Sequence, residues 1–371
     1  MRTRSAVLRG PGESWKIEEV DMDPPRQGEV LVEMRATGMC HSDEHVVSGD
    51  LPVPHYPFIG GHEGAGEVVE VGPGVTSVAV GDHVAFSFVP ACGRCRWCAS
   101  GQSYICDEGA KLFNVGMMSD DRIAHHTTDG EPVARFTQLG AFSEHQLLSE
   151  HSVVKVDPDI PWHAVALVSC GIATGYGAAV NRAGVRAGDT VAVIGLGGVG
   201  MSAVQGARIA GATRIVAIDP LEFKREQAKL FGATHTFASI EESFVPVMEA
   251  TQGVFCDKVI LVPGVVAGEM IELAVSLTAK GGTCVVLGLA PMVANDVKLN
   301  LFLFAMMNKE LKGCIYGSSN PRAQIPELLA LYRDGALKID EMVTKTYTLD
   351  QVNEGYQDMR DGKNIRGVVT F

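Results

Sequence analysis

The sequence predicts an α/β protein in two parts, a β-rich half and a second half built on a parallel sheet wrapped by helices. Three observations carry this reading. From Ser5 to about Val89 the chain shows short runs such as EVLVEM and GEVVEV broken by turns such as VGPGV and VGDHV, and alternating runs bounded by Gly and Pro read as strands. Beyond Cys170 the texture changes to TVAVIG, GMSAVQGARIAG, RIVAID, EFKREQAKLFG, KVILV, GEMIELAVSLTAKGG and TCVVLG. That strand, helix, strand rhythm is the signature of a parallel sheet. Finally, a chain of 371 residues exceeds most single cores, and domains of roughly 100 to 200 residues make two the expected number.

Between these halves, Ala91 to about Gln138 is rich in Cys, Gly, Asp and His with little periodicity, so a loop organised by something other than a core is expected. The tail returns to a helix, IPELLALYRDG, and ends in IRGVVTF, a strand able to rejoin the β-rich half. The hydrophobic fraction of 46% fits a globular enzyme rather than a disordered or fibrous chain. A net charge of -13 repels phosphate backbones and anionic lipid, which argues against nucleic acid and membrane partners. The opening MRTRSAVLRGPGESW lacks the apolar run of a signal peptide, and no stretch of about 18 uninterrupted apolar residues follows, so a cytoplasmic protein is expected.

Val191 to Ile194 form an apolar strand that runs into Gly195, Gly197 and Gly200 of GLGGVG, with a helix expected from about Val199. The first glycine of such a turn permits its tightness, the second lets backbone N–H groups approach a pyrophosphate, and the third packs helix on strand. GxGxxG alone is weak evidence. Here it follows a strand, opens a helix, and is succeeded by a strand ending in Asp219, placed to bind the hydroxyls of an adenosine ribose. A carboxylate there repels a 2′-phosphate, so NAD(H) is favoured over NADP(H). Lys224 and Arg225 follow it and read as a solvated helix face, with Lys224 brushing the ribose.

Nine cysteines in a chain without a signal peptide point to reduced thiols rather than disulfides. Cys92, Cys95, Cys98 and Cys106 read C-x2-C-x2-C-x7-C, four soft ligands able to close a tetrahedral shell around a structural zinc. An iron–sulfur cluster also takes four cysteines, but nothing else in the sequence supports one. His125 and His126 are expected to be solvent-exposed, since the nearby metal is already satisfied. A second group is dispersed: Cys40 in GMCHSDEH, His62 and Glu63 in GGHEGAG, and Cys170 in VSCGIATGYG. Two thiolates and one imidazole would leave a position open on zinc, the arrangement of a catalytic site. Cys256, Cys284 and Cys314 lie in apolar runs and are expected in the core.

GHEGAGEVVEVGPGV, the four-cysteine segment, ATGYG, GLGGVG with Asp219 and the closing GKNIRGVVTF occur in one order, and with it the chain resembles the zinc-containing medium-chain dehydrogenase family end to end. The resemblance implies a GroES-like catalytic domain over residues 1–171 with a zinc lobe at 91–138. A Rossmann-fold coenzyme domain over 172–315 and a return over 316–371 complete it. It implies an alcohol dehydrogenase that oxidises alcohols to aldehydes or ketones by reversible hydride transfer to NAD, with two zinc ions per subunit, an active site in the interdomain cleft, and a dimer or tetramer paired through coenzyme domains. Carried onto matching positions, Ser42 and His45 relay the released proton, Asp43 braces the zinc ligands, Glu63 braces them or swings onto zinc, and Thr174, Gly198 and Val199 join the coenzyme site.

One departure stands out. The position after the first ligand, often arginine in the family, is His41 here, mostly neutral at pH 7 with an ordinary pKa of about 6.5. Arg366, in the tail motif, is expected to supply the missing charge to the pyrophosphate. Segments such as DPLEFKREQAKLFGATH and NEGYQDMRDGKNIRG further resemble the actinobacterial nicotinoprotein alcohol dehydrogenases assayed with N,N-dimethyl-4-nitrosoaniline, which implies NAD(H) kept bound and recycled by an external acceptor. Two alternatives remain: a thiol-dependent formaldehyde dehydrogenase, and a non-catalytic zinc and nucleotide-binding protein. The intact set Cys40, His62, Cys170, Ser42 and His45 opposes the second.

Overall fold

The computed structural model describes residues 1–371. Its contacts divide the chain into two units, one comprising Met1–Gly171, Asn320–Gly335 and Ile339–Phe371, the other Ile172–Ser319 and Ala336–Lys338.

The first unit holds two sheets. A seven-stranded sheet is centred on Glu29–Gly38, which pairs antiparallel with Glu63–Val71, His145–Ser149 and the tail strand Arg366–Thr370. Alternation explains its register: Val30, Val32 and Met34 point to one face and bury against Val68, Phe86 and Leu148. The pairing sets Gly38 opposite both Glu63 and Val368, so a strand from the end of the chain reaches the middle of the sheet. The second sheet has five strands and runs His125–Thr127, Lys16–Met22, Arg2–Leu8, Phe58–Ile59, Ala134–Arg135.

This pairing corrects the extent of the zinc lobe. Because His125–Thr127 hydrogen-bonds to Lys16–Met22 and Ala134–Arg135 to Phe58–Ile59, the irregular lobe ends near Ala124 and not at Gln138. It also corrects His125, which is 1% exposed rather than solvated, because its strand is paired and its Nε2 lies 3.1 Å from Gln146 Oε1. His126 is half-buried.

The β-rich half further contains a helix that strand patterning did not reveal, His41–Ser48. Cys40 is its extended N-cap, Asp43 and Glu44 sit in its first turn where acidic groups complement the exposed N–H groups, and Gly49 closes it at φ 84.

The second unit is one parallel sheet of six strands in the order His235–Phe237, Arg214–Ile218, Thr190–Ile194, Cys256–Leu261, Thr278–Val286, Glu310–Gly313. Counted within the sheet this is 3-2-1-4-5-6, the doubly wound order whose reversal beside the first strand opens a crevice at the carboxyl ends. The helix expected over GEMIELAVSLTAKGG stops at Leu277, since Gly281 at φ +67 and a register shift beside Cys256 carry AKGG into the strand. Tyr316–Ser318 stays with this unit and moves the return from 316 to Asn320: Gly317 fills the space a Cβ on Gly177 would need, and Asn181 Nδ2 donates to its carbonyl at 3.2 Å. Cys256 and Cys284 are core residues, whereas Cys314 is only half-buried, because it follows the edge strand. No single helix is long and apolar enough to cross a membrane.

Candidate active site

Three separate elements of the first unit bring one cluster together. Cys40 leaves the central strand and caps the helix His41–Ser48, His62 and Glu63 sit at the start of the neighbouring strand, and Cys170 ends the segment after Trp162–Val168. The ligand atoms of Cys40, His62, Glu63 and Cys170 all lie within 4.8 Å of one another, and all four residues are buried. Asp43 fixes the imidazole. Its Oδ1 accepts from Gly61 N at 2.6 Å and its Oδ2 lies 3.0 Å from His62 Nδ1, too oblique for a straight hydrogen bond but close enough to orient the ring. Nε2 is thereby left for a metal, the usual division of labour in a carboxylate–histidine pair.

Glu63 is held differently from the other three. Its Oε1 accepts from Gly171 N at 3.1 Å, and its Oε2 is paired with the buried guanidinium of Arg366. Two glycines make that pairing possible, since a Cβ on Gly38 would strike the Glu63 carboxylate and one on Gly171 would strike Arg366. Burial pushes the Glu63 carboxyl up to about 7, with Arg366 pulling against it. Cys170 donates to Cys40, which holds the Cys40 thiol well below its usual range and drives that of Cys170 upward. Burial opposes charge on His62, but Asp43 and then Cys40 outweigh it and raise its pKa. Such crowding of charge-bearing donors in a buried pocket suits a divalent ion, which resolves it by taking the thiolates and the neutral ring.

The four cysteines of the lobe form the second cluster. Cys92 and Cys98 sulfurs are 3.9 Å apart, as are those of Cys95 and Cys106. Tetrahedral zinc with bonds of about 2.3 Å sets its sulfurs roughly 3.8 Å apart, so the spacing fits. Cys95 N and Cys98 N point at Cys92 and Cys95 sulfurs at 3.4 and 3.5 Å, and backbone N–H groups of Asp107 and Cys98 lower the Cys95 thiol to about 6.

In the second unit, Gly195 has φ +96 and its Cβ would meet Val262 O at 2.5 Å, while a Cβ on Gly200 would strike Gly195 O. Gly197 faces open space, at the N-cap of the helix Gly198–Ile209. The turn is thus packed on two sides and open where a phosphate would lie. Asp219 is buried and fixed, accepting from Leu196 N and Leu221 N at 2.9 Å each. Thr174 Oγ1 is buried with no partner. Gly175 lets its helix press on the backbone of Val199.

The profile of the alcohol dehydrogenase GroES-like domain matches residues 26–158, and that of the zinc-binding dehydrogenase domain matches 198–334. An NDMA-dependent alcohol dehydrogenase of Amycolatopsis methanolica is 48% identical over 369 residues, covering 100% of this chain and 99% of its own. The chain belongs to the zinc-containing medium-chain alcohol dehydrogenases. It is an oxidoreductase of that family. A solved structure of an alcohol dehydrogenase zinc-binding domain protein from Burkholderia ambifaria superposes with a TM-score of 0.93 at 34% identity, over 100% of this chain and 99% of that one. An S-(hydroxymethyl)glutathione dehydrogenase of Paracoccus denitrificans is more distant, 36% identical over the full length of both chains.

Within this zinc dehydrogenase, Ser42 Oγ lies 3.6 Å from Cys40 Sγ, and His45 Nδ1 lies 3.3 Å from Asp50 Oδ2. His41 is exposed, with its ring 5.2 Å from that of His45. Arg366 is 3% exposed and pairs through Nη2 with Glu63, because its strand pairs beside Gly38, while its Nε has no partner. Lys224 is half-buried, and Arg225 is tied to the carbonyls of Asp219 and Pro220, both at 2.8 Å, rather than solvated. Sequence reasoning missed Phe88 and Phe136, whose rings stand edge-on to His62 with centroids 5.9 and 5.0 Å away. Lone phenylalanines in loops give no pattern that could have marked them.

Proposed function

We propose that Cys40, His62 and Cys170 hold a catalytic zinc with one position open to an alcohol, that Cys92, Cys95, Cys98 and Cys106 hold a second, structural zinc, and that NAD(H) lies at the Gly195–Gly200 turn. The observation that carries this is the diversion of Glu63. As the fourth donor of the cluster it is turned onto Arg366 and Gly171 N, which leaves three ligands for the metal and room for substrate.

Zinc bound there supplies the Lewis acidity that eases loss of the alcohol proton near neutral pH. NAD supplies the hydride acceptor. The chain does the rest. Asp43 orients His62, Ser42 Oγ beside Cys40 takes the alcohol proton, and His45, backed by Asp50, passes it outward. Gly197, Gly198, Val199 and Thr174 receive the coenzyme with His41 at its pyrophosphate, and Asp219 takes the ribose hydroxyls with Lys224 beside it.

The likeness to the NDMA-dependent enzyme supports NAD(H) as a resident redox group, recycled in place by an external acceptor. A second copy of the chain is the partner we infer: the edge strand Glu310–Gly313 is open, and beside it in sequence Leu301 and Phe302 are 71% and 72% exposed. Nine free cysteines suit the reducing cytoplasm. Native mass and absorbance of purified protein test the reading. Two zinc ions and one nicotinamide per chain, with alcohol-dependent reduction of a nitrosoaniline acceptor without added NAD, support it. Protein free of nicotinamide that turns over only with added NAD rejects residency, and absence of alcohol oxidation either way rejects the reading as a whole.

A further inference from the structure

Arg135 is 1% exposed, yet no carboxylate lies within ion-pair distance of it. Its Nη1 donates to the carbonyls of Gln138 and Leu147 at 3.1 and 2.8 Å, its Nη2 donates to Gln138 Oε1 at 2.6 Å and sits 3.2 Å from Met117 Sδ, and its Nε finds no acceptor. Burial lowers its pKa to about 10, which still leaves it charged at neutral pH. A buried, unpaired cation is an expensive way to fill space that an apolar side chain would fill better.

What the cation organises is specific. Gln138, oriented by Arg135, donates through Nε2 to the carbonyls of Lys111, Asn114 and Gly116 at 3.3, 2.5 and 3.0 Å. One guanidinium and one amide therefore gather the loop that carries Phe113 onto the turn that carries Phe136. That turn is strained, with Thr137 at φ 50 and Gln138 at φ 62, a region side chains other than glycine rarely adopt. The strain has a product: Phe136 is delivered edge-on to His62 at 87°, and Phe113 stands 6.3 Å behind it.

We propose that Arg135 is a positioning residue, which holds Phe136 and Phe113 as an aromatic wall beside His62 and so sets the size of alcohol the site accepts. The proposal rests on the alcohol dehydrogenase reading above for its substrate, but the positioning itself can be read without turnover. Arg135→Met, Arg135→Lys and Phe136→Leu are to be compared with the parent in two assays, steady-state kinetics on ethanol and benzyl alcohol, and hydrogen exchange followed by mass spectrometry.

In Arg135→Met, exchange is expected to quicken in 111–117 and 136–141 while the parallel-sheet unit and the zinc content stay as in the parent. The KM for benzyl alcohol should rise about ten-fold with kcat on ethanol changed by less than about two-fold. Arg135→Lys should recover part of both effects, and Phe136→Leu, which keeps the Arg135 hydrogen bonds, should shift the alcohol ratio without quickening exchange in 111–117. Equal losses on both alcohols, or an unchanged ratio in every variant, would overturn the proposal. If Arg135→Met does not fold, Arg135→Lys and Phe136→Leu decide alone, and an unchanged alcohol ratio in both overturns it. Loop loosening in Arg135→Met alongside a parent that oxidises neither alcohol would instead reject the substrate reading and leave the positioning standing.

Discussion

Arg366 and Glu63 form a buried ion pair between the last strand of the chain and the strand that carries His62. Both side chains are buried, so removing one partner strands the other away from solvent, at a cost of about 3–5 kcal/mol. Arg366→Gln is therefore expected to be less stable by that order, and the double variant Glu63→Gln/Arg366→Gln less damaged than the two single losses added together. Urea unfolding of the four proteins gives the coupling, and strict additivity would show that the pair is not a unit. The loss in Arg366→Gln should also be larger near pH 8 than near pH 6, because the Glu63 carboxyl, already pushed up to about 7, escapes its unpaired charge by taking a proton at the lower pH.

His125 supplies a second pH dependence. Burial, with Arg135 adding to it, holds the folded-state pKa of His125 well below the ordinary 6.5. Above pH 6.5 both folded and unfolded chains are neutral there and nothing is lost. As pH falls below 6.5 only the unfolded chain takes the proton, so stability drops by about 1.4 kcal/mol per pH unit. Replacing His125 by Gln should flatten that part of the stability profile, as followed by denaturant midpoints between pH 7 and 5. An unchanged slope would place the acid sensitivity elsewhere.

Asp219 is held ready by Leu196 N and Leu221 N, one to each carboxylate oxygen. In Asp219→Asn one oxygen becomes an NH2 donor, which conflicts with one of those N–H groups and removes the charge that receives ribose hydroxyls. Affinity for NAD should fall roughly ten-fold or more, with a smaller loss for NADP. Calorimetric titration of both coenzymes onto coenzyme-stripped protein measures the ratio, and an equal loss for the two would remove Asp219 from ribose discrimination.

The parallel-sheet unit was legible because its signals are local: GLGGVG, the strand before it and Asp219 after it lie within about thirty residues, the span of one βαβ unit. The four-cysteine lobe was legible for the same reason. What escaped depends on contacts distant in the chain. The helix His41–Ser48 is only eight residues long and carries too little periodicity to stand out among strands. His125 looked like a loop histidine until strand pairing with Lys16–Met22 buried it. The pairing of Arg366 with Glu63, some 300 residues earlier, comes from the register of the tail strand and has no local signal in the sequence. Phe136 and Arg135 acquire meaning only from His62 and from the loop they hold.

The cluster of Cys40, His62 and Cys170 is proposed to be open and to do chemistry, and the four-cysteine cluster to be closed and to hold a lobe. Elemental zinc analysis of Cys40→Ser, together with circular dichroism and alcohol oxidation, tests it most directly. Two zinc ions per chain are expected in the parent and one fewer in Cys40→Ser, with an unchanged fold and no turnover. A Cys40→Ser protein that keeps both zinc ions, or that still oxidises alcohol at the parent's rate, would contradict it.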